Sequence, residues 1–223
     1  MITSAWVRHM SQSLKPLTIG GEEIQEPYLV RIGGWNEERY LREAPETEIA
    51  ELEDGEIIVH SPTTIRHQQI TGFLTFLLTG YGERRGLGRT LNGPAVVRLR
   101  PNLLYEPDIF FLRSEQLSRL QEQYFSGAPA LIIEITSKGS RSYDLKIKAA
   151  NYQEHQVEEY WAVDVENELL LQHLLSSNYQ PAPHSTGRLA SHAVPGFWVE
   201  VSWLWQRPLP PAPSCLDQIL TQL

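Results

Sequence analysis

The spacing of apolar residues changes several times along this chain, and each change marks a different element. Around Asp54-Gly55, the runs Ile49-Ala-Glu-Leu-Glu and Glu56-Ile-Ile-Val-His read as two strands, joined by a dipeptide that supplies the positive φ values of a tight hairpin. Further on, Ile70, Phe73, Leu74, Leu77, Leu78 and Tyr81 recur at helical spacing. They predict a long helix beginning at Pro62, with Ser61 as its cap, and ending in the glycine-rich stretch 82–88. Strands are expected over 95–100, 103–112, 130–135, 159–164 and 169–175, with a last edge over 197–205. A short helix over 35–42 and a charged helix over about 144–155 complete the pattern. The order predicts a mixed sheet crossed by helices, an α/β (α+β) sandwich.

Residues 1–34 show little periodicity and read as an N-terminal extension, ending at Gly33-Gly34. The segment 207–223 opens with prolines and reads as a C-terminal tail, which leaves 35–206 as one domain.

Composition narrows the possibilities. Hydrophobic residues make up 41% and charged residues 21% of the 223 positions, as expected for a globular chain. The single cysteine, Cys215, rules out an internal disulfide and a cysteine zinc site. The first residues lack the apolar core of a signal peptide, and no run is long enough to span a membrane, so a cytoplasmic protein is expected. A net charge of −8 argues against broad attraction to a phosphate backbone. Basic residues are nonetheless grouped: Lys138, Arg141, Lys146 and Lys148 form one cluster, and Arg84, Arg85, Arg89, Arg98 and Arg100 a second.

Candidate chemistry lies beside the first of these clusters. Ala-Leu-Ile-Ile ends in Glu134, and a strand buried on both faces is an expensive place for an unpaired carboxylate. Pro107-Asp108 supplies a second acid near a strand end, and Glu106 shares its face if Pro107 leaves the strand regular. Two carboxylates holding a hard cation, with a lysine beside them, suit phosphodiester hydrolysis, because that reaction needs charge neutralised and a water activated. At 3.6 residues per turn Asp144, Lys148 and Tyr152 share one helix face, whereas Lys146 lies about 200° from Asp144. Lys148 is therefore the expected lysine, and Lys146 faces solvent or a more distant phosphate.

Each residue also has an ordinary structural reading. Asp144 suits a helix first turn, Glu134 a strand end, and His67 the edge of the apolar stripe. Their ordered combination is what points to a metal-dependent site. Histidine-glutamate zinc pairs, P-loops, dinucleotide fingerprints and serine elbows are absent from the sequence.

These residues resemble the Uma2 family: Glu134-Ile-Thr-Ser137, then Asp144, Lys148, Tyr152 and Val157-Glu-Glu-Tyr-Trp-Ala-Val-Asp164. Upstream, Glu51 with Asp54-Gly-Glu56, Ser61-Pro62 followed by His67, and Pro107-Asp108 fit the same resemblance, which spans about 36–205. It implies a restriction-endonuclease-like core of the PD-(D/E)xK type, with Mg²⁺ or Mn²⁺ held by Asp108 and Glu134. Thr136 stands where that superfamily has a lysine, and Lys148 is the expected substitute, with Lys138 as its rival. The resemblance thus implies a DNA endonuclease in which Asp108, Glu134 and Lys148 are catalytic and Glu51, His67 and Asp144 supporting. A homodimer is compatible with it. The alternative is a DNA-binding or interaction module that keeps the fold without turnover, and a third reading is a phosphoesterase acting on RNA or a small nucleotide. Tyr160 and Trp161 are expected in the core.

Overall fold

Two six-stranded sheets carry the structure, a computed structural model describing residues 18–19, 22–23, 29–44 and 49–221. Two short strands, β1 (Thr18–Ile19) and β2 (Glu22–Glu23), pair with each other. The first large sheet contains β3 (Leu29–Gly33), β4 (Ala50–Glu53), β5 (Glu56–His60), β7 (Val96–Arg100), β8 (Leu103–Tyr105) and β10 (Tyr124–Ser126), in the order β10-β7-β8-β4-β5-β3. The second contains β6 (Gly88–Asn92), β9 (Ile109–Arg113), β11 (Leu131–Thr136), β12 (Glu159–Asp164), β13 (Leu169–Leu174) and β14 (Ala182–His184), in the order β14-β13-β12-β11-β9-β6. This mixed α+β arrangement matches the expected fold class.

The hairpin β4–β5 turns at Asp54 and Gly55, whose φ values of 48° and 97° are those a tight turn requires. At the centre of the second sheet β11 runs parallel to β12 and antiparallel to β9. Successive side chains of a strand point to opposite faces, and β11 uses both. Leu131, Ile133 and Ile135 join the core beneath the long helix α2 (Ile65–Arg85). Ile132 lies in a second core with Ile58, Tyr105, Tyr152 and Tyr160, between the sheets, and Glu134 shares its face.

A shorter helix, α1 (Glu37–Glu43), is capped by Asn36. Helix α2 begins three residues later than Pro62 suggested. Thr64 is the cap, its hydroxyl accepting from His67 N at 3.1 Å, and Pro62 lies outside the helix. Close approach fixes Gly82, where a Cβ would lie 2.7 Å from the Phe111 ring.

Several expectations need correction. Strand β3 falls inside the presumed extension and pairs with β5, so the domain begins before residue 35, while residues 1–17 lie outside those described. The stretch after α2 gives strand β6, which its glycines obscured. The strand foreseen over 103–112 is broken at Glu106-Pro107-Asp108, because Pro107 has no N–H for the ladder. The charged helix is a π-helix over Tyr143–Lys148 that continues as α3 (Ala149–Glu154). The edge expected over 197–205 is instead β16 (Trp198–Glu200), paired among the described residues with β15 (Arg188–Ala190) alone, and then a 3₁₀ turn. The proline-led tail ends in helix α4 (Ala212–Thr221), whose Cys215, Leu216 and Ile219 are buried in the core with α2. Tyr160 and Trp161 are fully buried, as foreseen. Among the described residues no helix is long and apolar enough to cross a membrane.

Candidate active site

Where the inter-sheet core opens to solvent, a cavity is lined by Glu106, Asp108, Glu134, Asp144 and Lys148, with His60, His67 and a rim of Ser and Thr residues. Each sheet contributes. Glu51 comes from β4 in the first sheet and Glu134 from β11 in the second, and both are almost completely buried. Lys148 bridges them: Nζ lies 2.7 Å from Glu51 Oε1 and 2.8 Å from Glu134 Oε1, with Asp144 Oδ1 at 3.8 Å. Tyr152, one turn further along the helix, donates its hydroxyl to Glu134 Oε1 at 2.7 Å. The helical face inferred from sequence holds despite the π turn, with Asp144, Lys148 and Tyr152 buried and Lys146 exposed.

Asp108 is fixed by a reciprocal exchange across the β9–β11 junction. Its N–H donates to Glu134 Oε2 at 3.2 Å, while its Oδ2 accepts from Ile135 N at 2.7 Å. His67 Nε2 lies 3.1 Å from the same Oδ2, so this histidine, for which both a core and a cleft position were open, faces the cavity. Burial disfavours the charged imidazole, but the hydrogen bond and charge of Asp108 more than offset it, and the His67 pKa rises.

One ammonium cannot neutralise all the surrounding acids. Full burial opposes charge on Glu51, yet Lys148 and His60 outweigh it and bring its pKa down to about 2. For Glu134 burial dominates, reinforced by Asp108 and Asp144 against the pull of Lys148, and the pKa climbs to about 8. Burial likewise raises Asp144 to about 6. Burial and the Glu51 charge raise Glu106 to about 8. Lys148 loses solvation, but its three carboxylate neighbours keep it charged, with a pKa well above the ordinary value.

The Glu106 carboxyl takes the Tyr40 hydroxyl on Oε1 at 3.0 Å, while its buried Oε2 has no partner. Surplus carboxylates and an orphaned buried oxygen are a hard donor set short of positive charge, and they fit a divalent cation. Among the described residues no three acidic, histidine or cysteine side chains already form a metal cage. Mg²⁺ does not require one, since it commonly takes one or two carboxylates and keeps several waters.

The structure therefore brings Asp108, Glu134, Lys148, Glu51, His67 and Asp144 together. Lys138, the rival lysine, is exposed and does not line the cavity. Sequence reasoning missed His60, whose Nε2 lies 2.9 Å from Glu51 Oε2. Strand pairing was the available signal: Glu51 faces Ile58 across the hairpin, and His60 lies two residues beyond on the same face.

Comparison with known proteins bears on the family and the fold. The sequence model of the Uma2 family, described as "Putative restriction endonuclease", matches residues 37–202. A crystal structure from Anabaena variabilis, described as a "putative nuclease belonging to DUF820", superposes with a TM-score of 0.66 at 14% identity, covering 77% of this chain and 97% of that one. At that identity the likeness concerns the fold. No curated protein matches the chain.

Proposed function

The chain belongs to the Uma2 family, and on that premise we propose that it is a divalent-metal-dependent nuclease acting on DNA, with Asp108, Glu134 and Lys148 as its catalytic residues. The observation that carries this reading is the contact of Lys148 Nζ with Glu134 Oε1 at 2.8 Å, beside an Asp108 tied to the same glutamate. It supports the reading in which a lysine from the helix after β11 serves the carboxylate at the end of that strand.

Asp108 and Glu134 would hold Mg²⁺ or Mn²⁺, which when bound neutralises phosphate charge and acidifies a water. The chain's own residues do the rest. His67 and the Ile135 amide orient Asp108, and Tyr152 orients Glu134. Glu51 and Asp144 hold Lys148 charged and aimed at the cavity, where its ammonium can position a water or a phosphate oxygen. Burial of the acids excludes bulk water, which strengthens each of these interactions.

Plasmid incubated with pure protein and Mg²⁺ or Mn²⁺ tests this reading. Cleavage by the wild type and its loss in Asp108→Ala are expected; equal cleavage by both proteins would overturn it. A second reading, a nuclease-fold module that binds without turnover, is favoured by one observation: Lys148 is engaged by Glu51 and Glu134 together, in a chain of net charge −8. DNA binding with no cleavage in either metal would support that module.

A further inference from the structure

Between β11 and the π-helix, the loop 137–142 forms one rim of the cavity and is closed on itself. Ser137 N donates to Ser140 Oγ at 3.0 Å, Ser140 N donates to Ser137 Oγ at 3.1 Å, and Arg141 N donates to Ser137 O at 2.9 Å. Ser137 and Ser140 line the cavity, and Arg141 is the next residue along the loop.

The Arg141 side chain is held through one donor. Its Nε donates to Asp164 Oδ2 at 2.6 Å, and Asp164, at the end of β12, is itself fixed by Asn167 through the backbone N–H at 3.2 Å and Nδ2 at 2.8 Å. The acid side chain is only 1% exposed and the arginine 43%. An arginine that served only to neutralise an aspartate would be expected to offer its two-pronged edge. Here only Nε is used, and the terminal amino groups make no hydrogen bond among the described residues. The buried carboxylate does need a counter-charge, but with two N–H groups from Asn167 it does not need the whole guanidinium edge. Such an arrangement instead orients a guanidinium in advance, leaving its outer N–H groups for a second acceptor of planar, multidentate geometry.

Resting on the nucleolytic reading above, we propose that Arg141, aimed by Asp164, is a substrate-positioning residue that grips a phosphodiester group next to the one drawn into the cavity. Its contact is to the backbone, so it contributes affinity and register but no sequence preference.

Binding of a short DNA duplex by the full-length protein, with Ca²⁺ present and salt varied, tests the proposal. Each phosphate contact contributes about 0.9 to the slope of log affinity against log salt. Arg141→Ala is expected to bind about five- to tenfold more weakly at 0.1 M salt and to lose about one unit of slope. Mn²⁺ uptake should be unchanged, because Arg141 does not touch the acids of the cavity. Arg141→Gln keeps a donor for Asp164 while dropping the charge, and it decides the matter if the alanine variant fails to fold. The same loss of slope in R141Q is expected; wild-type affinity and slope in that variant would show that Arg141 only ties the loop to β12, and would overturn the proposal. Wild-type protein that cuts DNA while R141Q binds normally defeats this inference alone, whereas wild-type protein that neither binds nor cuts defeats the nucleolytic reading with it.

Discussion

Lys148 reaches Glu51 as closely as it reaches Glu134, with Nζ–O distances of 2.7 and 2.8 Å, and so joins two sheets through one buried ammonium. The lysine is part of the fold as well as of the proposed site. Removing it leaves Glu51 a buried charge without its main counterion. Lys148→Met is therefore expected to lower unfolding free energy by about 3–5 kcal/mol. The double variant Lys148→Met/Glu51→Gln should recover much of that loss. Urea denaturation of both checks the coupling, and an additive double variant would contradict it.

The acids of the cavity predict how the protein responds to pH. Burial, reinforced by Asp108 and Asp144, raises the Glu134 pKa to about 8, so on the proposed reading protons compete with a metal for this carboxylate near neutral pH. Affinity for Mn²⁺ should rise about tenfold per pH unit from about 6 to about 8 and then level off. Calorimetry in buffers of different ionisation enthalpy should report protons released on metal binding at pH 7, fewer at pH 9.

Glu106 gives a stability test with a definite sign. A carboxyl whose pKa is raised from 4.5 to about 8 by folding lets the unfolded state ionise first, so the contribution present at low pH is lost as pH rises between those values. Glu106→Gln removes that loss. The variant is expected to match the wild type near pH 5 and to exceed it at pH 8 by on the order of 2 kcal/mol, measured by chemical unfolding without metal.

On the proposed reading His67 acts through Asp108, so it should matter to turnover more than to folding. Outer-shell partners of metal-binding carboxylates typically alter affinity or activity 10–100-fold. His67→Ala is expected to slow cleavage by about that factor while Tm falls only slightly. A variant with full activity would assign His67 to packing alone.

Much of this was readable in the sequence because local signals and the final fold agree. Asp54-Gly55 fixed the hairpin, and the apolar stripe from Ile70 to Tyr81 fixed α2. The carboxylates Asp108 and Glu134, with Lys148 on the following helix, were legible because strand ends and helical faces have short, regular periods. Features that depend on distant partners were not. Strand β3 exists because β5 offers it an edge, and α4 because its Leu216 fits where Gly80 leaves room on α2. The link from Lys148 to Glu51 spans two sheets, and nothing local in Ala50-Glu-Leu-Glu announces a buried counterion. The π turn was hidden because it keeps the same residues facing inward.

The most direct test of the central claim is a crystal structure of the wild-type protein grown with Mn²⁺, with the metal located by anomalous scattering. The account predicts a peak between the carboxylates of Asp108 and Glu134, with Lys148 still held by Glu51 and facing the same cavity. Saturating Mn²⁺ with no peak there, and the Lys148–Glu134 pair intact, would contradict it.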